Sequence, residues 1–235
     1  GVRVRRAGCD ADALGTCATS GTFSVTGLKI VSPAAGARFV IGQTGVAVPI
    51  TWKPVGGSGA VHLFYRIGTG QPVSIANGVA SIDSTMNAYT WVVPTVFADL
   101  SDQVVVTAQD ASGAPVNDSA PFTIAGAVAL TGVMPVKATY AVGDTVSIAW
   151  QRFGGITDLR LQYCGVDCAV PANWRDGPAL SNVSTPTGTF SNWAISMDAI
   201  SANLQLRAVD ATAGHPAADS TSVTITVTPG LVLTL

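Results

Sequence analysis

The side chains best equipped for chemistry in this 235-residue sequence are four cysteines, two histidines and 14 acidic residues, every one of the last an Asp. Cys9 and Cys17 close a polar loop between two strand-like stretches, and Cys164 and Cys168 bracket Gly-Val-Asp. Two local pairs and no odd cysteine point to two disulfides in an oxidising compartment. A zinc site wants four ligands, usually including His or further Cys. Neither pair has a His nearby, because the histidines are His62 and His215, so no metal site is expected. Catalysis has no better footing. Asp99 and Asp102 lie in a turn-like ADLSDQ, where Asp serves turn geometry. There is no G-x-S-x-G, no H-E-x-x-H and no phosphate-cradling loop. His62, between Val61 and Leu63, turns away from the core face of its strand, and His215 sits in a loop. The chain is therefore expected not to be an enzyme. Asp10, Asp12, Asp110, Asp118, Asp210 and Asp219 gather in three hairpin loops. Carboxylates there could hold Ca²⁺, but Asp also favours turns, and that reading is preferred; no cofactor is expected.

The elements that carry these residues are strands. The sequence is 48% hydrophobic and 11% charged, against roughly 25% charged in an average soluble domain. It has no Glu, and Lys occurs only at Lys29, Lys53 and Lys137. Val, Thr, Ser and Gly dominate, as strands and turns require. A net charge of −2 supplies no electrostatic reason to bind nucleic acid or anionic membrane. No apolar run reaches the ~18 residues of a membrane span.

A repeat organises the chain. GLKIVSPAAGARFVIGQTGVAVPITWKPVGGSG (27–59) is followed by AVALTGVMPVKATYAVGDTVSIAWQRFGGI (127–156). Phe39 and Gly42 match Tyr140 and Gly143, Trp52 matches Trp150, and Trp91 matches Trp193. Residues 103–124 line up with 203–227, each strand, polar loop, strand. Strand starts near 27, 127 and 230 give a period of about a hundred residues, the size of an immunoglobulin-like sandwich. The expected fold class is all-β, as tandem immunoglobulin-like or fibronectin-like β-sandwiches, over 28–126 and 127–228. Residues 1–27 read as the terminal hairpin of a preceding repeat, and 229–235 as the first strand of a following one. Two other readings stand: a private extension packed on the first sandwich, or orphan strands completed by another subunit.

The recurring Trp52, Trp91, Trp150 and Trp193 read as core or edge packing. Trp174 differs, because it lies beside Arg175 in the extra loop behind the second cysteine pair. A Trp on a stapled loop could stack on a sugar ring or anchor an interface, against partial burial on its own domain. Asn117-Asp-Ser and Asn182-Val-Ser fit the N-glycosylation acceptor, which matters only in a glycosylating host.

Ser32, Pro33, Gly36, Phe39, Gly42, Thr51, Trp52, Tyr89, Trp91, Pro94, Phe122 and Ile124 together form a more specific pattern. It resembles the immunoglobulin-like module of the Ser/Thr-rich cell-wall proteins of fungi, the family named for yeast β-glucan synthesis. Similar modules occur in tandem in secreted bacterial surface proteins. The second repeat matches more loosely: it lacks the Ser-Pro after its first strand and the Pro after its second Trp, and it carries the inserted CGVDCAVPANWRDGPAL. The resemblance implies an extracellular, cell-surface module with no catalysis of its own. The expected function is a structural repeat of a stalk, filament or surface layer. Its partners would be copies of itself or neighbouring modules, with no nucleic acid and no membrane insertion. The rival is a carbohydrate-binding or adhesive module that meets cell-wall glycan through Trp174 and Arg175.

Overall fold

The computed structural model describes residues 26–56, 59–114 and 116–230. Cys9, Cys17, Asp10, Asp12 and nearly all of the expected opening hairpin lie outside the described residues, as do residues 231–235 of the expected last strand.

Alternation builds the first sandwich. In β3 (Val46–Val55), Val48, Ile50 and Trp52 are buried while Ala47 and Pro49 face out. In β4 (Ala60–Ile67), Val61 and Leu63 are the inward pair. β1 (Gly27–Ser32), β3 and β6 (Asn87–Val93) make one sheet. β2 (Arg38–Val40), β9 (Phe122–Ala125), β7 (Ser101–Asp110), β4 and β5 (Val73–Ala80) make the other, with β8 (Val116–Asp118) on β7. The chain changes sheet at Pro33: β1 runs antiparallel to β3, whereas β2 runs parallel to β9. A short edge segment split between two layers is the immunoglobulin-like arrangement. The layers close on Trp52, Phe122, Ile50, Leu63 and Ile124, all fully buried.

The second sandwich repeats the plan with β10 (Ala127–Met134), β11 (Tyr140–Ala141), β12 (Thr145–Phe153), β13 (Leu159–Cys164), β14 (Arg175–Leu180), β15 (Thr187–Ala194), β16 (Ser201–Asp210) and β17 (Asp219–Thr228). Registers agree between the two: Ile30 faces Trp52 and Leu130 faces Trp150, each followed by a bulge. Met134–Pro135 ends β10 as Ser32–Pro33 ends β1, two residues farther along in register, and both peptides are cis. The molecule is thus a tandem of immunoglobulin-like β-sandwiches, with no α-helix among the described residues.

One difference is instructive. β10 pairs in parallel with β17 over Ala127–Ala129, so the two layers of the second sandwich join into one eight-stranded sheet. At the same place in the first sandwich a side chain bridges the gap: the Ile30 N–H donates to Asn117 Oδ1 at 2.8 Å. That bond satisfies a backbone donor that the strand ladder leaves over.

Candidate functional sites at the joint and the stapled loop

Gly126 alone separates β9 from β10, so the sandwiches meet at close range. The loop between β12 and β13 is held in shape before it reaches its neighbour. The Arg152 guanidinium donates to the carbonyls of Gly154 (2.8 Å), Thr185 (2.9 Å) and Val183 (3.2 Å), and burial pushes its pKa down. Thr212 Oγ1 accepts from the N–H groups of Thr157 (3.1 Å) and Asp158 (3.0 Å), and Asp158 Oδ1 accepts from Asn182 N–H at 3.1 Å.

The apex of that loop docks on the end of the first sandwich. Gly154 N–H donates to the Thr95 carbonyl at 2.7 Å. A Cβ on Gly155 would sit 2.7 Å from the Ala98 Cα, and one on Gly126 would sit 2.8 Å from Ile156 Cδ1. Gly154 has φ +87° and faces Leu100. Glycine is needed here because backbones approach too closely for any side chain. Ile156 is fully buried, and Arg38 of the first sandwich donates through Nη2 to the Ala217 carbonyl of the second at 2.6 Å.

The stapled loop lies on the second sandwich. Cys164 and Cys168 are disulfide-bonded, with Cα atoms 5.7 Å apart. Trp174 Nε1–H donates to the Cys168 carbonyl at 2.9 Å, and the Arg207 guanidinium stacks 3.9 Å from the centre of the indole ring. Gln162 Oε1 accepts from Arg207 Nε (3.0 Å) and Nη2 (2.8 Å), while Gln162 Nε2 donates to Asp176 Oδ1 at 2.9 Å. Arg160 Nη1 reaches Asp176 Oδ2 at 2.8 Å. Alternation explains the row: Leu159, Leu161, Leu204 and Leu206 point inward, so Arg160, Gln162 and Arg207 point out, with Gln162 directly opposite both Asp176 and Arg207. The Gln162 amide, then Arg160, holds the Asp176 carboxyl below the usual carboxylate range, and burial lowers Arg207. Arg175 is exposed and lies 3.3 Å from Asp198 Oδ2, which also accepts from the Tyr163 hydroxyl at 2.9 Å. Trp174 is thus half-buried, with one ring face taken by Arg207 and its N–H already used. A partner would meet it through ring carbons and the charged row. Sequence reading singled out Trp174 and Arg175 from the loop; it did not single out Gln162, Asp176 and Arg207, because only strand pairing brings them together.

Several of the remaining candidates have partners within the fold. His62 Nδ1 accepts from Gly78 N–H at 3.2 Å, and His215 Nδ1 lies 2.9 Å from Asp210 Oδ2. Asp110 Oδ1 accepts from the Ser112 N–H (2.9 Å) and hydroxyl (2.7 Å), and Asp210 Oδ1 from Thr212 N–H at 2.8 Å, both as turn formers. Asp118 accepts from Thr107 Oγ1 and Arg66 Nη2, and Asp99 from the Tyr65 hydroxyl. Among the described residues no three His, Cys or Asp side chains gather to hold a metal ion, and no helix is long and apolar enough to cross a membrane. Asn117 spends its carboxamide oxygen on Ile30, while Asn182 is exposed at φ +56°.

No family model matches the sequence, and no curated protein matches it. Among solved structures it is similar to the fibronectin(III)-like modules of Clostridium thermocellum CbhA, at 15% identity and TM-score 0.30, over 86% of this chain and 94% of that one. It is also similar to a tetra-tandem repeat in the extending region of a large adhesion protein, at 15% identity and TM-score 0.36, over 87% of this chain and 51% of that one. A third is the N-terminal four Ig domains of Dscam1, at 10% identity and TM-score 0.40, over 90% of this chain and 48% of that one. The chain spans about half the length of the last two, and the functional reading rests on its own residues.

Proposed function

We propose that this chain is a structural, non-catalytic stretch of an extracellular array, a stalk, filament or surface-layer element built by module–module contacts. The observation that carries the reading is the joint: a preformed Gly154–Gly155 loop seated against Thr95, Ala98 and Leu100, over a linker of one glycine. Such a joint restricts bending, which a spacer needs and a free binding domain does not. The Cys164–Cys168 disulfide and the low charge favour an oxidising exterior. The residues on which the likeness to the Ser/Thr-rich cell-wall module rests have roles that any immunoglobulin-like sandwich would give them: Trp52 fills the core, Phe39 meets Phe122 edge-on at 5.7 Å, and Gly36 takes φ +69°. The test is Gly155→Val, which places a branched side chain where even a Cβ is too close. Small-angle scattering of the full chain should change from one fixed arrangement of the two sandwiches to a broader distribution of lengths. An unchanged profile would remove the joint as a spacer element.

The second reading, an adhesive or glycan-binding module, is favoured by the Trp174–Arg207 stack and its charged row. It predicts that Trp174→Ala abolishes binding to cell-wall polysaccharide while the second sandwich still melts as a cooperative unit. No binding by the unaltered chain would end it.

A further inference from the structure

The two ends of the tandem can be compared residue by residue. Ser101 and Ser201 each accept, through Oγ, the N–H two residues on (Gln103, Asn203), so Leu100 and Ile200 hold the same place. Ala125 and Thr228 accept from the N–H groups of Ile41 and Val142, so these two also correspond. Thr95 and Met197 each lie two residues beyond the inward Val93 and Ile195.

At the first sandwich this end is covered. Thr95 accepts from Gly154, Leu100 is 5% exposed and Ile41 is fully buried. At the second sandwich the same positions line an open apolar depression formed by Val142, Met197, Ile200, Pro229 and Gly230. Ile200 is 41% exposed there and Met197 77%. Exposed apolar side chains gathered contiguously at one pole, unlike single scattered ones, are the form a contact surface takes.

We infer that this pole is a socket for a further sandwich of the same type. That sandwich enters by the loop between its third and fourth strands, with an apolar–Gly–Gly–apolar apex like Phe153–Gly154–Gly155–Ile156. The inference rests on the array reading and names the surface and the partner it uses. Its warrant is equivalence with the filled joint: same strand ends, same turn serines, same apolar positions. The first sandwich carries a similar loop, with Ser58 at the sequence position of Ile156. Gly56, which holds the place of Gly154 in the first sandwich, has φ +64° against +87°, and Val55 beside it is exposed like an uncovered Phe153.

The test extends the full chain by replacing residues 231–235 with a second copy of 127–235, the copy's methionines changed to Leu. Peroxide oxidation of the native methionines is then followed by peptide mass spectrometry. Met86 and Met134, each 56% exposed, are the internal references. In the unextended chain Met197 should oxidise at least as fast as they do; in the extended chain it should slow about tenfold, because sulfoxide formation follows exposure. An unchanged Met197 rate beside a cooperatively melting third sandwich overturns the inference. So does a copy that folds behind a flexible Gly-Ser spacer but not when joined directly. Met197 protection that grows with the concentration of the unextended chain assigns the pole to a second copy instead, and also overturns it. Independently, Ile200→Asp in the chain as it stands should leave the second sandwich's melting temperature unchanged; a clear drop makes Ile200 a core residue and ends the proposal. These outcomes are separable from failure of the array reading, which is decided at the first joint by Gly155→Val.

Discussion

Trp52 and Trp150 hold the same place in the two sandwiches, and both are buried, yet their indole N–H groups fare differently. Trp52 Nε1–H donates to the buried Ser81 hydroxyl at 3.0 Å, whereas Trp150 Nε1–H has no partner among the described residues. Replacing either by Phe gives up the same fused ring, a loss of about 2 kcal/mol in packing. At Trp52 the change also breaks a hydrogen bond and orphans Ser81, adding about 1–3 kcal/mol. At Trp150 it removes an unpaired buried donor, which offsets the packing loss by about 1–3 kcal/mol. Trp52→Phe should therefore destabilise its sandwich by about 3–5 kcal/mol and Trp150→Phe by about 1 kcal/mol or less. Native-state hydrogen exchange of peptides from β3 and β12, in the full chain, reads each sandwich separately. Gly188 supplies a control: its Cβ would stand 2.5 Å from Trp150 Cζ2, an atom that Phe lacks. Gly188→Ala alone should be costly and should be rescued by Trp150→Phe, with a coupling above about 1 kcal/mol. Equal losses at the two tryptophans, or no rescue, would refute the reasoning.

Replacing both Cys164 and Cys168 by Ser should destabilise the second sandwich by about 2 kcal/mol, as expected for so short a loop, in a denaturant titration. It should also shift Trp174 fluorescence, because the Cys168 carbonyl anchors the indole. Asn117→Ala should cost about 1–2 kcal/mol by leaving the Ile30 N–H unpaired, whereas Asn182→Ala breaks no such bond and should cost about 1 kcal/mol in a denaturant titration, the strain of placing Ala at φ +56°. Burial, then the hydrogen bond to Asp99 and its charge, pushes Tyr65 from 10.0 up to about 12. A raised folded value means stability that is intact below the ordinary tyrosine range and lost as pH rises through about 12. The urea midpoint should fall across that alkaline window, and Tyr65→Phe should flatten the slope. At the acid end the Ser196 hydroxyl, and with it the Tyr163 hydroxyl, holds Asp198 below the usual carboxylate range. That contribution is present above about pH 4 and lost as pH falls through the lowered value; Asp198→Asn should remove this acid limb.

Much of the architecture is visible before folding because one physical rule, burial of alternate side chains, writes itself into every strand. Val61 and Leu63, or Leu159 and Leu161, announce an inward face, and the spacing of the tryptophans announces the repeat. The joint was legible only as a pattern. Phe153–Gly154–Gly155–Ile156 stood out as part of the repeat, but nothing in the string says that Gly155 meets Ala98. The charged row was hidden for a related reason: Gln162 and Arg207 are 45 residues apart and meet only through the pairing of β13 with β16. Asn117 shows a role that no local triplet reveals: its Oδ1 closes a gap between two strands by accepting from the Ile30 N–H.

Whether the Gly154–Gly155 joint makes the two sandwiches one rigid spacer is decided by residual dipolar couplings on the full chain in weak alignment. Couplings from residues 27–125 and from 127–228 should fit a single alignment tensor, and Gly155→Val should split it into two. Two tensors of different magnitude in the unaltered chain would contradict a fixed joint and, with it, the structural role assigned to this protein.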